Sequence, residues 1–383
     1  CGGDRRLHLG LRLFHSVEWR VWLMQRPAAA AAIALVASTI CFSRAASGGP
    51  GNTLRPHLLA AGQTDSSPPS PRDLLRNLAR FSDEEWATVD RGQAVARVLD
   101  TDSREIAVVG AIRIAAPRER LIERYRDIVA LERSSLVLRA AIFSTPPKSE
   151  DLLTAPFEEY NLDLRSCRPG DCRVRLSEDD IARFHREVDW NGPDWQVRSA
   201  SVWRSVLAAH TVAYLAQGRR GLPDFMNKPE PVSVASELAR LLEDFQFLGA
   251  YSPEFHRYIQ DFGPRLPAGA QQLVYWTKED FGVRPILRLS HQVVYRVDAP
   301  VAAALIATNQ IYADHYLDAS LGVTVAIDAK TSGKDGFYMI AVNRARTRSL
   351  SGFLRRFVRR TVQSRSRDAM TKILTSSKTG LER

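Results

Sequence analysis

The chain has 383 residues, 45% hydrophobic and 25% charged, the texture of a globular protein with room for one large domain or two ordinary ones. Its formal net charge of +10 is concentrated: residues 344–383 hold twelve Arg and Lys against Asp368 and Glu382, and the remainder balances at 41 basic and 41 acidic residues. A neutral body with one basic end is not a generally basic protein, and any electrostatic partner belongs at that end.

Residues 1–23 precede Met24 and read as a segment upstream of the natural start. Residues 24–46 read as an export signal. Arg26 comes before thirteen uncharged residues, Ala28–Ile40, and small residues around Ser43 and Ala45 offer a cleavage point, with a mature chain from about Ala46. The apolar run falls short of the about 20 residues of a membrane span, so an uncleaved anchor is the lesser reading. Bulky Ile40 argues against lipid attachment at Cys41. Residues 47–71, rich in Gly, Pro and Ser, read as a flexible linker.

Residues 72–150 begin with an amphipathic helix over 72–90, marked by Leu74, Leu75, Leu78, Phe81 and Trp86. Strands follow at 93–99 and 105–115, a helix from Pro117 to about Ala130, and a strand at 136–143. Residues 151–264 change to helical texture, with an N-cap pattern at Ser177 and Asp180 and long helices over 194–217 and 233–247. Cys167 and Cys172 flank Arg-Pro-Gly-Asp. In an oxidising compartment they form a disulfide; two thiols with no nearby His make a poor metal site. Residues 265–383 return to strands at 271–278, 284–297, 302–312, 320–328 and 336–347, spaced for antiparallel meander connections. A long helix ends the chain, its stripe running from Leu350, Phe353 and Leu354 through Phe357, Val358 and Val362 to Ala369, Met370, Ile373 and Leu374.

The order strand, strand, helix, insertion, antiparallel strands and long terminal helix resembles the helix-grip fold of the START-like and Bet v 1-like (SRPBCC) superfamily. The resemblance lies in residues 105–130 and 271–374, and the stretch from Val274 to Gly282 followed by 284–296 also resembles uncharacterised secreted bacterial proteins. It implies an α+β fold, a curved sheet wrapping the last helix around an apolar cavity, and a sterol, lipid or polyketide ligand; some members are cyclases or hydrolases. Function does not follow from fold alone, and the helical insertion departs from the minimal pattern.

On the strand at 284–297, Leu287, Leu289, His291, Val293, Tyr295 and Val297 share one face, which must point inward. Its two polar tips, His291 and Tyr295, are candidate ligand contacts on an apolar wall, together with Tyr275, Asn309 and Asn343. The alternative is that His291 and Tyr295 are hydrogen-bonded core residues. His315 and Tyr316, beside Asp314 and Asp318, form either an acid–base cluster or a polar turn. His210, on the stripe of Trp203, Val206, Leu207 and Tyr214, reads as a packed core residue. Arg355, Arg356, Arg359 and Arg360 oppose the apolar stripe of the last helix. They are candidates for an anionic membrane surface, at about 1 kcal/mol each near such a surface, and export argues against nucleic acid. The chain lacks a phosphate loop, a dinucleotide fingerprint, a nucleophile elbow and a zinc-protease motif, and its eight histidines show no metal spacing, so no cofactor is expected. Three readings result: an exported protein binding or transferring a hydrophobic, lipid-like ligand; a cyclase- or hydrolase-like enzyme using His291 with Tyr295 or His315 with Tyr316; and an envelope scaffold docking through its basic helix.

Overall fold

The computed structural model describes residues 67–127, 137–157, 161–280, 284–333, 335–348 and 355–383. The upstream segment, the export signal and nearly all of the linker lie outside them. So do Leu350, Phe353 and Leu354, and the side chains of Arg355, Arg356, Phe357 and Val358.

The chain enters through two helices where the periodicity points to one. α1 (Pro71–Ala79) ends at Arg80, which takes the left-handed conformation at φ 52°. α2 (Asp83–Asp90) opens on a capping box. The Ser82 hydroxyl accepts from the Glu85 N–H at 3.2 Å, and the Ser82 N–H donates to Glu85 Oε2 at 2.8 Å. β1 (Val95–Val98), β2 (Glu105–Ile114), α3 (Arg118–Arg126) and β3 (Val137–Ile142) complete the first part.

The middle block is α4 (Asn161–Ser166), α5 (Glu178–Glu187), α6 (Trp195–Gln217), α7 (Val234–Leu242), α8 (Leu248–Tyr251) and α9 (Pro253–Asp261). Its helical texture is interrupted by a two-stranded ribbon, β4 (Asp224–Phe225) with β5 (Val232–Ser233). The Ser177–Asp180 capping box starts α5 as the sequence pattern indicates. The last part supplies β6 (Gln271–Glu279), β7 (Ile286–Val297), β8 (Ala303–Ala313), β9 (Ala319–Asp328), β10 (Phe337–Arg346) and the terminal helix α10 (Arg355–Leu381).

Eight strands form one sheet in the order β1-β2-β10-β9-β8-β7-β6-β3, with every pair antiparallel. β10 pairs with β2 along its full length and β6 pairs with β3, so the first and last parts of the chain build a single sheet and the helical block is spliced between them.

Both faces of this sheet are buried. One carries Val109, Leu289, Val293, Leu305, Ile311 and Val325 against Trp203, Leu207, Leu241 and Phe262 of the helical block. The other carries Ile106, Val108, Ile306, Met339 and Ala341 against Leu121 of α3 and Val362, Met370, Ile373 and Leu374 of α10. α10 lies across β1 and β2 at close range. A Cβ added to Gly110 would fall 2.5 Å from Met370 Cγ and 2.7 Å from a Leu374 methyl, so glycine is what lets the helix seat there. The period-2 reading assigns a single inward face to β7; the second face is also covered, because α3 and α10 lie on it. Its polar side chains are paired accordingly. Arg288 meets Glu279 at 2.5 Å, and Gln292 Nε2 donates to the Tyr125 carbonyl at 2.8 Å.

Candidate functional site

The ends of β8, β9 and β10 meet three connecting segments at one corner of the sheet, where they enclose a pocket of about 540 Å³. Arg173 and Arg175 come from the stretch between the disulfide loop and α5. Asn227, Lys228, Pro229 and Glu230 come from the turn of the β4–β5 ribbon. Asp314, His315 and Tyr316 come from the β8–β9 turn, and Arg348 follows β10.

Backbone hydrogen bonds hold these segments in register. The Cys167–Cys172 disulfide closes its loop, and Gly170 N–H and Cys172 N–H donate to the carbonyls of Met226 and Asn227 at 2.6 and 3.2 Å. Arg175 N–H donates to the Asp314 carbonyl at 3.1 Å, and the Tyr312 hydroxyl donates to the Arg175 carbonyl at 3.0 Å. Arg348 Nη1 donates to the Glu230 carbonyl at 2.7 Å.

The charges lining the pocket are unequal: Arg173, Arg175, Lys228 and Arg348 against Asp314 and Glu230. Arg175 is the buried member, its side chain 7% exposed. Its Nη2 donates to Asp318 Oδ1 at 2.5 Å, and its Nη1 has no hydrogen-bond partner. Burial lowers the pKa of this guanidinium, against the opposing pull of Asp318. Asn227 Oδ1 is likewise buried without a partner. His315 Nδ1 lies 2.8 Å from Asp314 Oδ1, whose other oxygen accepts from the Leu287 N–H at 2.8 Å. Tyr316 holds the turn in the left-handed region at φ 59°, its hydroxyl pKa raised by burial. The acid, imidazole and phenol therefore sit on a cavity wall. Arg173, Arg175, Asn227, Lys228 and Arg348 show no periodic signal in the sequence; the only hint is their position beside a Cys pair and a Pro-rich turn.

His291 is in a different environment. It is fully buried, and its Nδ1 lies 2.9 Å from the Tyr214 hydroxyl and its Nε2 2.9 Å from Gln272 Oε1. Asn309 Nδ2 donates to the same Tyr214 hydroxyl at 3.1 Å. The directions are mutually consistent: Asn309 donates to Tyr214, Tyr214 donates to Nδ1, and Nε2–H donates to Gln272, which assigns the tautomer. Burial takes the His291 pKa down to about 3 and that of Tyr214 well up, so both are neutral. This chain of hydrogen bonds fastens α6 to β6, β7 and β8. His291 is hydrogen-bonded in the core at both ring nitrogens, and Asn309 shares its Tyr214 partner while its own Oδ1 is buried without one.

The remaining candidates separate. Tyr295 stacks on Phe255 with ring centroids 5.6 Å apart and donates to Glu254 at 3.3 Å, at the edge of the helical block. Tyr275 and Asn343 belong to the opposite face of the sheet from His291, both buried. His210 meets Asp180 at 3.0 Å and joins α6 to α5. Of the basic residues proposed for a membrane surface, Arg359 is turned to the β1–β2 connection, donating to the Asp102 and Thr101 carbonyls at 2.6 and 3.0 Å; Arg360 is exposed.

Among the described residues no helix is long and apolar enough to cross a membrane, and no group of three His, Cys, Asp or Glu side chains could hold a metal ion. The formed disulfide fits an extracellular or periplasmic location. Comparison with protein-family models, with characterised proteins and with solved structures finds no match to this chain.

Proposed function

We propose that the protein is an exported binding protein for a small anionic ligand held in the pocket at the β8–β9 corner. The observation that carries this reading is the lining of the pocket, where Arg173, Arg175, Lys228 and Arg348 outnumber Asp314 and Glu230. The volume of about 540 Å³ falls within the 300–1,000 Å³ range of ligand sites, and the surrounding surplus of cations favours negative charge.

A thermal-shift panel of carboxylates, phosphates, sulfates and neutral analogues tests it. A bound anion raises the unfolding midpoint with concentration, and an Arg173→Glu/Lys228→Glu variant loses the shift. Stabilisation by neutral compounds alone, or an undiminished shift in the charge-reversed variant, contradicts the reading.

A second reading, hydrolytic or acid–base catalysis, is favoured by Asp314 and His315 together on the pocket wall, a carboxylate oxygen 2.8 Å from an imidazole nitrogen. The lipid-like occupant drawn from the sequence would lie between the sheet and α10, where Met370 and Leu374 already rest on Gly110. In this proposal the fold is a helix-grip variant. The single antiparallel sheet crossed by α10 supports it, and the helical block on the opposite face is its addition.

A further inference from the structure

We infer that the outward face of α10 docks the protein on an anionic lipid surface. The inference is independent of what the pocket holds and rests on how charge is divided between the two sides of the sheet.

From Arg359 to Leu381, α10 is two-sided. Val362, Met370, Ile373, Leu374 and Leu381 are buried against the sheet, and Ser366 and Ser377 lie buried among them. At 3.6 residues per turn these positions share an arc of about 120°. Arg360, Arg365 and Lys372 lie outside that arc, with Thr361, Ser364, Thr371 and Thr375 between them. This outward face carries cations and hydroxyls, and no large apolar side chain or aromatic ring.

Not all of the cations on α10 are available. Arg359 is taken up by the Asp102 and Thr101 carbonyls, at the edge of the face where Asp100 also lies. Arg367 meets Asp368 at 3.2 Å, and Lys378 pairs with Glu382. Arg360, Arg365, Lys372 and, past the helix end, Arg383 remain. They form no ion pair with a described acid, and both acids of the segment are already engaged. Arg360, Arg365 and Arg383 are exposed and Lys372 is half-buried. α3, on the same side of the sheet, holds four arginines against Glu119, Glu123 and Asp127, so it does not cancel the excess.

The other side has the opposite balance. Residues 161–264, which cover that face, hold thirteen Arg and Lys against fifteen Asp and Glu. An anionic plane therefore attracts the α10 side and turns the helical block away. A lipid surface is favoured over nucleic acid by the disulfide, which fits an extracellular or periplasmic location, and by the lack of aromatic side chains on which bases could stack.

Co-sedimentation of the full chain with vesicles tests the inference. Binding to phosphatidylcholine vesicles containing 30% phosphatidylglycerol is expected to exceed binding to pure phosphatidylcholine at least about 10-fold in 0.1 M salt. The difference should vanish in 1 M salt, where the screening length falls from about 10 Å to about 3 Å. Arg360→Glu/Arg365→Glu should lower the partition onto anionic vesicles at least about 10-fold, since two attractions become repulsions. Arg198→Glu/Arg257→Glu makes the same change in net charge at exposed positions of the helical block and should leave the partition within about 2-fold. Equal binding to both vesicle compositions overturns the inference. So does an equal loss in the two double variants, which would make net charge alone the cause. Tighter binding to a 20-base-pair DNA duplex than to the anionic vesicles overturns it in favour of nucleic acid. The lipid and salt dependence of the unmodified chain decides the matter even if a variant does not fold.

Discussion

Two histidines on adjoining parts of the sheet live in opposite surroundings. His291, at the middle of β7, is closed in by α6, and each ring nitrogen faces a partner at 2.9 Å. His315, past the end of β8, stands on the wall of a pocket with an excess of positive charge. The comparison teaches that a polar side chain on an apolar strand does not announce a cavity. At the sheet's centre the neighbouring helix and strand supply the hydrogen bonds, through Tyr214 of α6 and Gln272 of β6, and the position becomes structural. At the sheet's corner, where segments converge without filling the space, polar and charged groups line a pocket.

The contrast breaks most visibly at Asp318, which is buried beneath the pocket and meets Arg175 at 2.5 Å and Arg104 at 3.4 Å. Asp318→Asn removes the anion from two arginines. The expected loss of stability is about 3–5 kcal/mol, as for other broken buried pairs, and urea denaturation would measure it. A loss under about 1 kcal/mol would mean that the pocket floor is not built on this pair.

Acid sharpens the other side. The folded-state pKa of His291 is depressed to about 3, below an unfolded value of about 6.5, so the unfolded chain binds the extra proton first. The contribution of this residue is complete above about pH 6.5 and declines as pH falls, with a slope of about 1.4 kcal/mol per unit toward pH 3. His291→Gln should flatten that part of the stability profile, and an unchanged slope would remove His291 as its source.

Tyr214→Phe deletes the hydroxyl shared by His291 and Asn309 while keeping the ring. A destabilisation of about 1–3 kcal/mol is expected in thermal or chemical unfolding, with ligand binding intact. The smallest effect on stability belongs to Lys228→Glu at the exposed mouth of the pocket, within about 0.5 kcal/mol of the unmodified protein, yet its anion affinity should fall at least about 10-fold.

The sheet and its partners were largely legible, for a physical reason. Period-2 alternation marks β2 and β7, and the stripe Val362, Met370, Ile373 and Leu374 marks the buried side of α10. Local chemistry explains where the reading slipped. The α1–α2 break depends on Ser82 and Glu85 competing with a continuing apolar stripe. The second buried face of β7 depends on elements distant in the chain: α3, whose Tyr125 lies 167 residues before Gln292, and α10, which follows three further strands. His315 and Tyr316 were visible as a cluster because they are adjacent. The arginines, the lysine and Asn227 that turn the cluster into a pocket come from three distant segments, and no spacing rule brings residues 173, 227 and 348 together. The Cys167–Cys172 loop was legible from its turn tetrapeptide, but its role in carrying Arg173 and holding the 226–227 backbone appears only once the ribbon is placed.

The most direct test pairs the two regions in one experiment: unfolding stability and the dissociation constant for the anion that most stabilises the chain in the thermal-shift panel, measured for the unmodified chain, Tyr214→Phe and Lys228→Glu. The account predicts a double separation, in which Tyr214→Phe loses stability and keeps its affinity while Lys228→Glu keeps stability and loses affinity. Weakened binding in Tyr214→Phe together with undiminished binding in Lys228→Glu would contradict it, and would return the ligand to the centre of the sheet.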